Sequence, residues 1–320
     1  MTGSTTRRGL LAGVAATAAA PAAARAAGRA VPALKPAREQ VVRRGRAIAA
    51  DPRGRRLVVA HDQRRTIAIV ESRGGATRIV DVGGQPVDVA VAPDGRRAAV
   101  TTASWDGPGL ALVDLDAGRL LQRISVGPAP GAVAYAAAGR RLVVAGGEQE
   151  GTLHVLDAAR GAVLAVRAIG PVPRGLAVHG QLAWVALQAA DRLVAVGLPG
   201  GRVRRELRTP RLPDRLAVSP DGRALLVSHG GGRAEHLSEI ATGSGRVRRH
   251  RAGELPSAVA WTSRGARLVT LAGAGEVLVL GAGGKRRRVG AGPAPRDLAV
   301  AGARAWTVDG LTGAIAQVRA

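Results

Sequence analysis

A short segment recurs seven times along this 320-residue chain at nearly even spacing. Its plainest copies are Val87-Asp-Val-Ala-Val-Ala-Pro-Asp-Gly-Arg-Arg97 and Asp214-Arg-Leu-Ala-Val-Ser-Pro-Asp-Gly-Arg223. Aligned on the alanine, the copies fall at Ala49, Ala90, Ala134, Ala177, Ala217, Ala260 and Ala299, with intervals of 41, 44, 43, 40, 43 and 39 residues. Each interval holds four strand-like apolar runs separated by turn residues. A period near 40 with four strands per copy predicts an all-β chain, a seven-bladed β-propeller of four-stranded antiparallel blades. The length alone would suggest two domains, but a ring of blades is one closed unit.

The second copy shows how a blade is written. Asp88-Val-Ala-Val91 reads as the innermost strand and Pro93-Asp94-Gly95 as a tight turn in which glycine can take positive φ. Arg97 to Thr101, Leu110 to Leu115 and Leu120 to Val126 supply the remaining strands, and Gly127-Pro-Ala-Pro130 crosses to the next blade. The repeated alanine has a steric reason, since innermost strands converge on the axis. The seventh copy ends after three strands, and Glu39-Gln-Val-Val-Arg-Arg44 stands where an outer strand would precede the first copy. The expectation is that this N-terminal strand closes the last blade, removing exposed sheet edges. The propeller is then residues 38–320.

The preceding residues read as an export leader. Thr6-Arg7-Arg8-Gly9-Leu10-Leu11 resembles the twin-arginine motif, an apolar run follows to Ala20, and Ala24-Arg25-Ala26 offers a cleavage site. Residues 1–26 are expected to be the signal and 27–37 a linker, which places the protein in the periplasm, the cell envelope or the medium. The apolar run is too short for an ordinary transmembrane helix, and no later stretch is apolar enough to span a bilayer. The chain has no Cys, which excludes disulfides, thiolate metal sites and thioether-linked haem.

In a propeller the crossings between blades and the loops after the second strands open on one face, around the central channel. The residue three before each repeat alanine reads Arg46, Val87, Gly131, Arg174, Asp214, Ser257 and Arg296, and the next position adds Asp88, Arg215 and Asp297. The loops after the second strands contribute His61, Asp62, Trp105, Asp106, His229 and Asp309. The resulting ligand-binding candidates are Arg46, His61, Asp62, Asp88, Trp105, Asp106, Arg174, Asp214, His229, Arg296 and Asp309. Such a mouth would grip a polar or anionic ligand through its arginines, with Trp105 as a stacking platform. The alternative is a solvated rim whose charges pair with one another.

Catalytic motifs are missing. His229-Gly-Gly-Gly232 has no G-x-S-x-G elbow to serve, and Gly281-Ala-Gly-Gly-Lys285 is followed by Arg286 where a phosphate loop needs Ser or Thr. His61 and His229 lie in copies one and five, which are not neighbours, and no H-x-x-x-H spacing occurs. No catalytic set, metal or cofactor is therefore expected. The formal net charge is +24, with arginines crowded on the predicted outer strands. That wall would attract anionic cell-envelope polymers non-specifically. It lacks the interleaved aromatics of specific nucleic-acid binding.

The runs Val89 to Arg96 and Leu216 to Arg223, each behind a Gly/Pro-rich crossing, resemble the YVTN-type repeats of exported β-propellers, which are related to the lactonase-type seven-bladed propellers. The eponymous run is worn to Ala99-Val-Thr-Thr102 and Leu226-Val-Ser-His229. The resemblance implies ligand or partner binding on a rigid disc, with no shared catalytic set. The resulting expectation is an exported, monomeric binding or interaction module for a protein or small anionic ligand. The alternative is a lactonase-like hydrolase acting at the channel mouth.

Overall fold

A computed structural model describes residues 44–74, 76–103, 109–231, 235–281 and 283–319. The apolar runs form strands as the repeat requires. Blade one holds β1 (Gly45–Ala50), β2 (Arg56–His61), β3 (Thr66–Glu71) and β4 (Thr77–Asp81), and blade two holds β5 (Gln85–Val91), β6 (Arg97–Ala103), β7 (Gly109–Asp114) and β8 (Arg119–Ser125). Blade three is β9 (Pro130–Ala136), β10 (Arg141–Gly146), β11 (Thr152–Asp157) and β12 (Val163–Ala168). Blade four is β13 (Pro173–His179), β14 (Leu182–Leu187), β15 (Arg192–Gly197) and β16 (Arg202–Arg208). Blade five is β17 (Pro213–Val218), β18 (Ala224–His229), β19 (His236–Ala241) and β20 (Val247–Arg251). Blade six is β21 (Pro256–Trp261), β22 (Arg267–Leu271), β23 (Glu276–Leu280) and β24 (Arg286–Gly290). Blade seven has β25 (Pro295–Ala301), β26 (Arg304–Asp309) and β27 (Ile315–Arg319). Within each blade the strands pair in chain order, inner to outer. All pairings are antiparallel, so the fold is a seven-bladed β-propeller. Residues 39–43 of the expected closing strand lie outside the described residues, as do the leader and linker.

Burial follows strand position. The second and third strands are almost wholly buried, because neighbouring blades cover both of their faces. Their sequences are accordingly near-continuous apolar runs such as Leu142-Val-Val-Ala145. Outer strands are mostly exposed. The core is divided into seven apolar clusters, one per blade–blade interface. The interface between blades seven and one joins Ile48, Leu57 and Val59 to Ala299, Trp306 and Val308. The ring is thus closed by apolar packing of first blade on last.

Six of the seven repeat alanines pack into these interfaces, each toward the following blade; Ala49, Ala90 and Ala217 are examples. A small residue is needed there because adjacent inner strands approach closely. The Pro-Asp-Gly turns form as read: Gly95 and Gly222 both have φ of 73°, and each amide donates back to the carbonyl three residues earlier. An L side chain would be strained at either position. One boundary differs from the reading of the repeat. The inner strand of blade two begins at Gln85, not Asp88, because Pro86 already pairs with Thr102.

Trp306 is 1% exposed at the closing interface, and its ring lies where a Cβ on Gly54 would reach. Trp306→Ala is expected to lower the unfolding free energy by about 3–5 kcal/mol, as large aromatic deletions in cores do. Urea unfolding would check this, and a loss under about 1 kcal/mol would contradict a core role for this residue.

Candidate functional site

Every inner strand carries an irregularity near its first residues. In blade four, Pro173 pairs with Leu187 and Leu176 with Val185, so Arg174 and Gly175 together face a single residue of β14. The same shift occurs at Gly45/Ala47, Pro86/Asp88, Pro213/Leu216, Pro256/Val259 and Pro295/Asp297, and opposite Pro130 in blade three. Such bulges bend a strand and re-aim the extra side chain. Proline suits the position because it has no amide hydrogen to place in the ladder.

The re-aimed residues meet. Arg46, Val87, Gly131, Arg174, Asp214, Ser257 and Arg296, one from each blade, line a single cavity of about 240 Å³ with Asp88, Ala132, Pro173 and Arg215. Four arginines against two aspartates make the lining net cationic. Asp62, in the loop after β2, stands 3.6 Å from Arg46 Nη1 and 3.4 Å from Arg296 Nη1. Gln85 Nε2 donates to the same carboxylate at 3.4 Å, and Arg46 Nε donates to the Val87 carbonyl at 3.3 Å. One aspartate therefore tethers two arginines from adjacent blades. Across the mouth, Arg174 donates only a 3.4 Å hydrogen bond to Gln188 Oε1. Among the described residues no carboxylate lies within salt-bridge reach of Arg174, and Asp214 has no cationic partner at that range.

Beneath the rim the charges alternate. Asp88 Oδ2 accepts from the Val133 amide at 3.0 Å, and Asp297 Oδ2 accepts from the Ile48 amide at 2.8 Å. Both carboxylates thus reach the inner strand of the next blade. Burial pushes both carboxyls above the usual carboxylate range, and Arg215 pulls back against that shift; for Asp297 the result is about 6. Burial also works against the Arg215 charge, but Asp297, Asp88 and Asp214 outweigh it and leave the guanidinium above its ordinary value. Arg46 is held below its ordinary value by burial and by its cationic neighbours Arg296 and Arg215, with Asp62 and Asp88 opposing. Each charge in the cluster is set by its burial and by its charged neighbours.

The sequence candidates divide into three groups. The structure gathers Arg46, Asp88, Arg174, Asp214 and Arg296 around the cavity, with Asp62 behind them. Trp105 and Asp106 lie outside the described residues. His61, His229 and Asp309 do not reach the cavity. Each is the last residue of a second strand, and its side chain turns into the protein. Asp309 Oδ2 accepts from the Ala294 amide at 2.6 Å, while Oδ1 takes the Leu311 and Thr312 amides and the Thr312 hydroxyl. It organises its own turn and the crossing beside it. His229 Nδ1 donates to the Arg211 carbonyl at 3.0 Å, so Nε2 accepts from the Ser238 hydroxyl at 2.8 Å. Burial holds both histidines below the usual imidazole value, His61 at about 4. His229 and Asp309 bond to the crossing beside them, while His61 Nδ1 lies 2.7 Å from the Thr66 hydroxyl and its buried Nε2 has no hydrogen-bond partner among the described residues. Arg215 and Asp297 prove to be the electrostatic centre. Gln85 and Gln188 had no repeat signal to mark them.

Among the described residues, no group of three or more His, Asp or Glu is arranged to hold a metal ion. No helix among them is long and apolar enough to cross a membrane.

The closed ring and its charged channel mouth make this a seven-bladed β-propeller with a cationic axial cavity. The sequence matches no protein-family model and no curated protein. The fold is shared with a solved hydrazine synthase chain of Kuenenia stuttgartiensis (TM-score 0.76, 19% identity), over 88% of this chain and 97% of that one. It is shared also with virginiamycin B lyase from Staphylococcus aureus (TM-score 0.72, 13% identity), over 86% of this chain and 94% of the lyase. At such identities the likeness is one of fold.

Asp309→Ala strands four donors and is expected to cost about 2–4 kcal/mol of stability. His229→Ala should cost about 1–3 kcal/mol. Both variants should leave anion binding at the mouth unchanged once folded, as calorimetry on the two proteins would show. A specific loss of binding with unchanged melting would return these residues to the site.

Proposed function

We propose that the protein is an exported binding module that captures a small anionic ligand at the channel mouth and does no chemistry on it. The supporting observation is the convergence of Arg46, Arg174, Arg215 and Arg296 on one cavity, with Arg174 lacking an acid partner among the described residues. A cavity of about 240 Å³ suits a compact carboxylate or phosphate ester. Guanidinium groups bind such oxygens through paired hydrogen bonds, and the half-buried setting strengthens them. Asp214, with no cation at salt-bridge range among the described residues, would reject a ligand that is anionic at every edge and accept one carrying a hydroxyl or amine. Export is supported by the twin-arginine-like leader at Arg7 and Arg8.

A second reading, a lactonase-like hydrolase, is favoured by one observation. Burial raises the Asp297 carboxyl to about 6 against the pull of Arg215, so it can exchange a proton near the physiological range. Both solved neighbours are enzymes by name, which keeps this reading alive. Against it stands the lack of a nameable nucleophile beside that carboxyl.

Titration calorimetry with citrate, a sugar acid and a phosphate monoester would test the binding reading. Arg174→Ala is expected to weaken the best ligand about tenfold, roughly 1.4 kcal/mol. Unchanged affinity, or turnover of a lactone panel that disappears in Asp297→Asn, would overturn it.

The same site sets a pH dependence. The folded-state value for Asp297 lies above that of a free carboxyl, so acidification through about 6 protonates it and removes negative charge beside Arg215. Anion affinity should therefore rise about three- to tenfold between pH 7.5 and pH 5, and Asp297→Asn should flatten that profile. The group's contribution to stability has the same sign. It is fully present below the unfolded-state value and lost as pH rises through about 6.

A further inference from the structure

The outer wall of the ring is electrically lopsided. Residues 202–208, 246–251 and 285–288, on or beside β16, β20 and β24, carry twelve arginines and lysines against a single acid, Glu206. All twelve are exposed. The outer strands of blades one to three, β4, β8 and β12, carry only four basic residues and show solvent Ile79, Leu121 and Val163 instead. A charged surface kept only for solubility has no reason to gather on three consecutive blades, where like charges repel one another.

Few of these cations are neutralised within the protein. Arg251 reaches Glu235 at 3.6 Å and Arg288 reaches Glu276 at 3.0 Å, while Glu206 is taken by Arg192 of the adjoining strand. Arg205, Arg286 and Arg287 clamp backbone carbonyls of a neighbouring blade. Arg202, Arg204, Arg208, Arg246, Arg248 and Arg249 have no acid or carbonyl partner among the described residues.

We infer that this arc is a docking surface for a flexible, base-free linear polyanion of the polyphosphate or phosphodiester type. Three of seven sectors subtend roughly 150° of a convex ring. A flat anionic bilayer would meet one outer strand at a time, and the arc has no amphipathic element to insert into it. Duplex DNA is too stiff to follow so tight a curve without a large bending cost. Single-stranded nucleic acid would want aromatic platforms, and these three segments have none. A folded protein partner would want aromatic or apolar anchors, and only Val203 and Val247 are exposed large apolar residues on the three strands. A flexible phosphate chain needs only cations spaced along a path.

The test uses the full chain and long-chain inorganic polyphosphate, titrated at 50 and 200 mM salt. About six phosphate contacts predict a loss of affinity of roughly a few hundred-fold over that range. The triple substitution Arg204→Gln, Arg248→Gln and Arg249→Gln removes side chains with no internal partner, so circular dichroism and melting should match the parent. It is expected to weaken polyphosphate at least tenfold and to flatten the salt slope by about 2. Arg119→Gln with Arg167→Gln, on the opposite arc, should change binding less than twofold. Equal losses from both arcs would overturn the proposal in favour of net charge alone. Salt-independent binding would overturn it outright. Tighter binding to anionic vesicles or to duplex DNA than to polyphosphate would replace it with those partners. Arg174→Ala at the mouth should leave polyphosphate affinity unchanged, which separates this surface from the axial site.

Discussion

Apolar contact between neighbouring blades is what the structure depends on. No blade can bury both faces of its middle strands alone, and each gains that burial only from the blades beside it. The interface of blade seven with blade one matters most, because without it two sheet faces would open to water. Trp306, the largest fully buried side chain, sits there. In a chain without Phe and with one Tyr, the remaining interfaces are filled mainly by Val, Leu, Ile and Ala, with Trp184, Trp261 and Tyr135 each joining one of them. Many small contacts replace a few aromatic ones.

The ring makes the channel mouth by geometry more than by chemistry. One bulge per inner strand turns one residue per blade toward the axis, whatever that residue is. Where the chain places Val, Gly or Ser, the wall is inert; where it places Arg or Asp, a charge is held at the axis by seven packed sheets. The carboxylates of Asp88 and Asp297 do two things at once. They tie each inner strand to the next through a backbone amide, and they balance Arg215. The mouth is pre-organised by the interactions that align the inner strands, which limits the reorganisation that binding would require.

Two cationic surfaces follow, and they differ physically. The mouth is concave and half-buried, so its charges interact strongly and discriminate by shape. The outer arc on blades four to six is convex and fully wetted, so its charges act over about a Debye length and discriminate mainly by flexibility and charge density. The former suits a compact anion, the latter a long one.

The sequence by itself determined the blade count, the strand order, the Pro-Asp-Gly turns and the set of residues facing the axis. All of these are periodic, and a period survives reading one residue at a time. It also marked Arg46, Arg174 and Arg296 by their offset from the repeat alanine. Only the tertiary structure decided that His61, His229 and Asp309 turn inward while their neighbour Asp62 reaches the arginines. That outcome depends on which donors and acceptors lie across the loop, such as the Ala294 amide and the Arg211 carbonyl, and the chain's periodicity does not say which side chain they will meet. Tertiary structure also decided that Arg215 is set between Asp88 and Asp297, because blades two, five and seven meet only across the axis of a closed ring.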